Sequence, residues 1–220
     1  MTERVDLELK YADGSPFIHK YYRQPDSAVG LIVTFPGAHY GMDGPLLFYP
    51  ALWMRQQGWD SLSLAYSFQE VMSEPDLQNI PTVIGECSDL LKAAFESRSY
   101  GHITIVGKSL GCGIASYLCS GLDELQDSRL VCLTPPLDTP YFDPVFAETT
   151  QAAILAIGTA DRFYDEEVLA NLKTKRDFAL STFEGCDHSL VLEGDVEGTM
   201  RVLAELIQMV SDFAQNGEAN

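Results

Sequence analysis

The sequence predicts an α/β fold: a mostly parallel central sheet of about eight strands with helices on both faces, opened by an antiparallel hairpin. Three observations carry this reading. Short apolar runs recur along the chain, each followed by a stretch whose apolar residues fall at helical spacing. Most of these runs are near-continuous rather than alternating, as in strands buried on both faces of a parallel sheet. The first two strand-like stretches differ, being joined by turn residues.

The elements follow in order. Residues 5–9 alternate apolar and charged side chains, and residues 17–23 form a second strand. Asp13-Gly14-Ser15-Pro16 between them supplies the turn of a hairpin. Leu31-Ile32-Val33-Thr34-Phe35 is the first fully apolar strand, ended by Pro36-Gly37. A helix runs from 46 to 57 and stops at Gly58. Residues 61–66 form a strand, and Ile80, Ile84, Cys87, Leu91 and Ala94 mark a helix. Strands follow at 103–106, 130–133, 153–157 and 178–183. Helices lie around 114–118, closed by Gly121, and around 166–173. Val196, Met200, Leu203, Ile207 and Val210 mark a last amphipathic helix, and residues 215–220 are expected to fray.

With 220 residues, 46% of them hydrophobic, the chain can bury a core as a single domain spanning 1–220. Its net charge is −18, with 14 Lys and Arg against 32 Asp and Glu. Such a surface repels polyanions, so neither nucleic acid nor an anionic membrane is an expected partner. No apolar run reaches the ~20 residues that span a bilayer, and the N-terminus does not read as a secretory signal. Five scattered cysteines form no C-x-x-C pair, so each is expected as a buried apolar residue in a cytoplasmic protein, with no metal site. Nothing in the sequence sets an oligomeric state.

The chemistry concentrates in Gly107-Lys108-Ser109-Leu110-Gly111, directly after one strand and directly before a helix. A hydroxyl attacks well only when it projects freely toward a base. A tight strand-to-helix turn projects it, and glycines two residues to either side relieve the crowding. The N–H of Leu110, at the helix start, is then free to stabilise an oxyanion. A serine nucleophile needs a base, and the base needs a carboxylate. Of four histidines (His19, His39, His102, His188), only His188 follows the last strand. Asp161 follows the preceding one. The ends of these strands share one edge of a parallel sheet, where sites form.

On these motifs the chain resembles the α/β-hydrolase superfamily, in particular its small capless esterases and dienelactone-hydrolase-like members. Ser109, Asp161 and His188 stand in that superfamily's order, and Ser109 stands where dienelactone hydrolases carry a cysteine. Some members carry the acid one strand earlier, so the resemblance leaves Asp138 and Asp143, after the strand at 130–133, as alternative acids. Pro36-Gly37-Ala38-His39-Tyr40-Gly41 looks like its oxyanion loop, in place of the His-Gly-Gly-Gly form of many lipases. The resemblance implies that the N–H of Ala38 joins that of Leu110 in the oxyanion hole. It implies a hydrolase of a small-molecule carboxylic ester acting through an acyl-enzyme, with no cofactor. A thioester, lactone or acyl-peptide substrate, or a binding module that keeps the fold alone, are the alternatives.

Around this site, His39, Tyr40, Tyr141, Phe142 and Phe163 are candidate substrate contacts. Residues 135–150, rich in Pro and aromatics, read as a small flap carrying Tyr141 and Phe142. Tyr66, Phe68 and Tyr164 follow strands at the same edge and read equally as pocket wall or core. His19 reads as a surface residue, and His102 is expected at the opposite edge of the sheet. Lys108 is expected as a local structural residue or at the rim of the site, Asp43 at its mouth or in solvent, and Cys112 in helix packing. Asp187 is expected to point away from His188.

Overall fold

The computed structural model describes residues 2–70 and 79–217. Its strands are β1 (Glu3–Val5), β2 (His19–Arg23), β3 (Leu31–Phe35), β4 (Asp60–Leu64), β5 (Ile103–Lys108), β6 (Arg129–Leu133), β7 (Ala152–Gly158) and β8 (Ala179–Phe183). They form one eight-stranded sheet in the order β1-β2-β4-β3-β5-β6-β7-β8. The β1–β2 and β2–β4 pairs are antiparallel and every other pair is parallel. The helices are α1 (Pro45–Gln56), α2 (Ser67–Glu70), α3 (Ile80–Ser97), α4 (Leu110–Gly121), α5 (Asp143–Glu148), α6 (Glu166–Lys175) and α7 (Val196–Asn216). The expected α/β architecture is therefore present, and among the described residues no separate cap stands over the sheet.

The period of two along each strand divides the core. Leu31, Val33 and Phe35 of β3 belong to one core layer with Leu90 of α3, Ile114 of α4 and Leu169 of α6. Ile32, one step out of phase, joins Leu47 and Met54 of α1 and Val210 of α7 on the other face. Strands covered on both sides need no polar face, which explains their near-continuous apolar runs. From β3 the chain winds one way to β4 and the other way to β5. The crevice beyond the carboxyl ends of β3 and β5 is thus the switch point, where ligands bind in open α/β sheets.

Three sequence expectations are corrected. The first strand ends at Val5 instead of reaching residue 9. There, His19 intercepts the ladder: its Nε2 accepts the Leu7 N–H at 3.0 Å, and its Nδ1 lies 3.0 Å from the Phe17 carbonyl. His19 is accordingly buried, at 6% exposure, and is not a surface residue. The C-terminal helix also runs further than expected. Residues 215 and 216 are helical and Gly217, at φ 76°, caps α7, while residues 218–220 lie outside the described residues. The turn at Asp13 is as expected, with Asp13 Oδ1 accepting the Ser15 N–H at 2.8 Å. All five cysteines are buried and free. Among the described residues, no helix is long and apolar enough to cross a membrane.

Candidate active site

Ser109 sits between β5 and α4 with φ 52° and ψ −119°. A non-glycine residue at such a φ is strained, and the surrounding packing holds it there. A Cβ on Gly107 would stand 2.6 Å from the Gly111 carbonyl oxygen, and one on Gly111 would overlap the Phe35 carbonyl. The two glycines therefore let α4 start hard against the ends of β3 and β5. The Ser109 N–H donates to the Leu133 carbonyl at 2.9 Å, tying the turn to β6. Behind it, the fully buried Cys112 donates through Sγ to the Gly107 carbonyl at 3.2 Å, which is the expected packing role. Leu110 opens α4, so its N–H has no carbonyl partner within the helix.

The structure brings Ser109, His188 and Asp161 together. His188 Nε2 is 3.0 Å from Ser109 Oγ, and His188 Nδ1 is 2.8 Å from Asp161 Oδ2. The Asp161 side chain is fully buried, and its Oδ1 accepts the Phe163 N–H at 3.0 Å. An ionised carboxylate only accepts, so the His188 proton belongs on Nδ1 and Nε2 is left to accept from Ser109. The other acids stand elsewhere. Asp138 is exposed, and Asp143 Oδ2 accepts the Thr139 N–H at 2.9 Å within its own loop. Asp187 Oδ1 accepts the Ser189 and Val191 N–H groups at 2.7 and 3.0 Å, which shapes the histidine loop and turns the carboxylate from the ring. The Phe163 ring lies 5.2 Å from the His188 ring, centroid to centroid.

The loop after β3 makes a turn closed by a bridge between Gly37 and Tyr40, with Ala38 and His39 at its centre. A Cβ on Gly37 would stand 3.3 Å from the Lys108 carbonyl oxygen and one on Gly111 2.6 Å from the Pro36 carbonyl oxygen, so the loop starts hard against the nucleophile turn. His39 is exposed on this turn. Tyr40 points back into the fold, where its hydroxyl accepts the Leu46 N–H at the start of α1 at 2.9 Å. Lys108 is buried beneath the turn, with Nζ 5.0 Å from the centre of the Tyr40 ring. Burial pushes its ammonium down to about 8, against the pull of Asp161 and Asp187. Of the two places expected for Lys108, the structural one, under the loop, is the one it occupies. Asp43 pairs with Lys20, Nζ lying 2.5 and 2.6 Å from its two oxygens. His102 is exposed before β5, at the opposite edge.

The flap expectation is corrected. Residues after β6 form α5, and Phe142 is fully buried, stacked on Phe146 at 5.2 Å. The proline-rich segment folds inward because its aromatic rings complete the core over α4. Phe142 is therefore a core residue and not a substrate contact. Tyr66 is also core, at 1% exposure. Tyr141 is half-buried and lines an apolar cavity of about 270 Å³ with Leu110, Gly113, Ile114, Tyr117 and Ile84. Ile84 and Ile114 show in sequence only as helical periodicity, which does not separate a cavity wall from a filled core.

Residues 30–215 match the sequence profile of a family described as an alpha/beta hydrolase domain. No curated protein matches the chain in sequence. Among solved structures, the chain is similar to an alpha-beta serine hydrolase homologue from Coxiella burnetii, with TM-score 0.71 and 13% identity over 94% of this chain and 96% of that one. It is similar to an α/β serine hydrolase without a lid from Xanthomonas campestris, with TM-score 0.67 and 15% identity over 96% and 92% of the two chains. A third likeness is to Est1E from Butyrivibrio proteoclasticus with ferulic acid bound, with TM-score 0.66 and 12% identity over 95% and 99%. At these identities the likeness is one of fold.

Proposed function

The chain belongs to the alpha/beta hydrolase family, and from that premise we propose that it is a serine hydrolase cleaving a neutral carboxylic ester through Ser109, His188 and Asp161. One observation carries the reading: the unbroken contact from Ser109 Oγ through the His188 ring to the buried Asp161 carboxylate. Ser109 Oγ attacks the ester carbonyl while His188 Nε2 takes its proton. Asp161 holds the Nδ1–H tautomer and stabilises the imidazolium that forms. The N–H groups of Leu110 and Ala38 receive the oxyanion. His188 then returns the proton to the departing alkoxide, and water, activated by the same nitrogen, hydrolyses the acyl-enzyme.

The apolar cavity shares Leu110 with the nucleophile turn and gives room for a small acyl or aryl group. Its volume lies just under the ~300 Å³ at which drug-sized pockets begin. The net charge of −18 disfavours phosphorylated and acyl-CoA substrates and so favours neutral ones.

The test is hydrolysis of 4-nitrophenyl acetate and butyrate by wild-type protein and Ser109→Ala, with a thioester and a lactone of matched size alongside. Ester turnover lost in Ser109→Ala supports the reading. Turnover that survives the substitution, or that is confined to the thioester or lactone, contradicts it.

A further inference from the structure

Gln69 lies on α2, one turn beyond the end of β4, and both ends of its side-chain amide are engaged. Its Oε1 accepts the Tyr66 N–H at 2.9 Å, and its Nε2 donates to the Gly37 carbonyl at 2.6 Å. Because one end faces a backbone donor and the other a backbone acceptor, the amide has a single consistent orientation. Among the described residues the Gly37 carbonyl has one further donor, the Tyr40 N–H, at a long 3.4 Å. The short contact to Gln69 is therefore the one that fixes its direction.

That direction bears on the chemistry. In a trans peptide the carbonyl and the following N–H point opposite ways. Holding the Gly37 carbonyl toward Gln69 turns the Ala38 N–H away from it. A Cβ on Gly37 would stand 3.3 Å from the Lys108 carbonyl oxygen, so this peptide starts against the peptide that leads into Ser109. The geometry points to Gln69 as a positioning residue that keeps the Ala38 N–H presented to the oxyanion, an inference that rests on the proposed oxyanion role of Ala38. Glycine lets the Gly37–Ala38 peptide rotate at little cost, so without a tether it can turn its carbonyl oxygen toward the site. A carbonyl there repels the charge that the N–H would stabilise.

Two variants test this. Gln69→Met keeps the length and removes both hydrogen bonds. Gln69→Glu keeps an acceptor for the Tyr66 N–H but sets a carboxylate oxygen against the Gly37 carbonyl, and that oxygen welcomes the Ala38 N–H of a turned peptide. The readouts are kcat and KM for 4-nitrophenyl acetate, the inhibition constant of a trifluoromethyl ketone that forms an oxyanion on Ser109, and the melting midpoint. Removing one oxyanion donor costs about 10²–10³-fold in kcat, so losing its positioning is expected to cost about 10–100-fold. Gln69→Glu is expected to lose more than Gln69→Met. Inhibitor affinity should fall by the same factor as kcat, with KM unchanged within about twofold. Full kcat and full inhibitor affinity in a folded variant would overturn the inference while leaving the hydrolase reading intact. So would a loss that tracks the melting midpoint in both variants and spares the inhibitor. Wild-type protein inert toward both the ester and the ketone overturns the hydrolase reading, and this inference with it.

Discussion

Replacing Asp161 by Asn separates the proposed chemistry from mere fold. Asp161 is enclosed by two donors, the His188 Nδ1–H on Oδ2 and the Phe163 N–H on Oδ1. A carboxylate accepts both, whereas an amide offers one oxygen and one NH₂ group. If the oxygen stays with Phe163, the NH₂ group faces Nδ1, and His188 must carry its proton on Nε2. That nitrogen then donates to Ser109 and cannot take its proton. Where a Ser-His-Asp arrangement is established, the same change lowers kcat about 10⁴-fold, equivalent to about 5.5 kcal/mol in the barrier. The assay is kcat/KM on 4-nitrophenyl acetate near pH 7.5, with a melting curve to show that the variant is folded. Asp138→Asn and Asp143→Asn are expected to keep activity within about threefold, because neither carboxylate touches His188. A folded Asp161→Asn variant within tenfold of wild type, or equal losses in all three variants, would refute the reasoning.

Other perturbations have equally definite outcomes. Phe142→Ala is expected to cost about 3–5 kcal/mol in chemical denaturation, because the ring is fully buried against Phe146. Tyr141→Ala, at the cavity wall, should instead change KM as the acyl chain lengthens and leave the melting midpoint nearly untouched. Gly111→Ala forces a methyl group onto the Phe35 carbonyl and should displace the start of α4, lowering both kcat and stability, the latter by about 1–3 kcal/mol. Lys108 titrates near 8 in the folded state and near 10.4 unfolded, so the unfolded chain binds more protons between those values. Wild-type stability should therefore rise with pH across that window relative to Lys108→Met, by at most about 3 kcal/mol, as read by urea denaturation at pH 7, 9 and 10.5. A flat difference across the window would remove Lys108 from the buried cations.

Much of this molecule is legible in its sequence, for identifiable reasons. Strands buried on both faces must be apolar throughout, so β3, β5, β6 and β7 announce themselves. Ser109, Asp161 and His188 each follow the carboxyl end of a strand, and a parallel sheet gathers those ends at one edge. The contact among the three side chains is then largely a consequence of topology. Aromatics just beyond a strand carry no such rule. Phe142 and Tyr66 turn into the core and Tyr141 toward a cavity, and only the packing of neighbouring helices decides which. His19 was not readable as buried, because its ring works on backbone groups of a neighbouring segment in place of a strand ladder. Gln69 was missed for the same reason. Its partners are the Tyr66 N–H and the Gly37 carbonyl, so a lone glutamine on a four-residue helix leaves no pattern of side chains to read.

The central claim, that Ser109 is an activated nucleophile, is tested most directly by fluorophosphonate labelling followed by mass-spectrometric peptide mapping. The account predicts one modified serine, Ser109, with no labelling in Ser109→Ala and strongly slowed labelling in His188→Ala. Folded wild-type protein that stays unlabelled, or that labels at another residue, would contradict it.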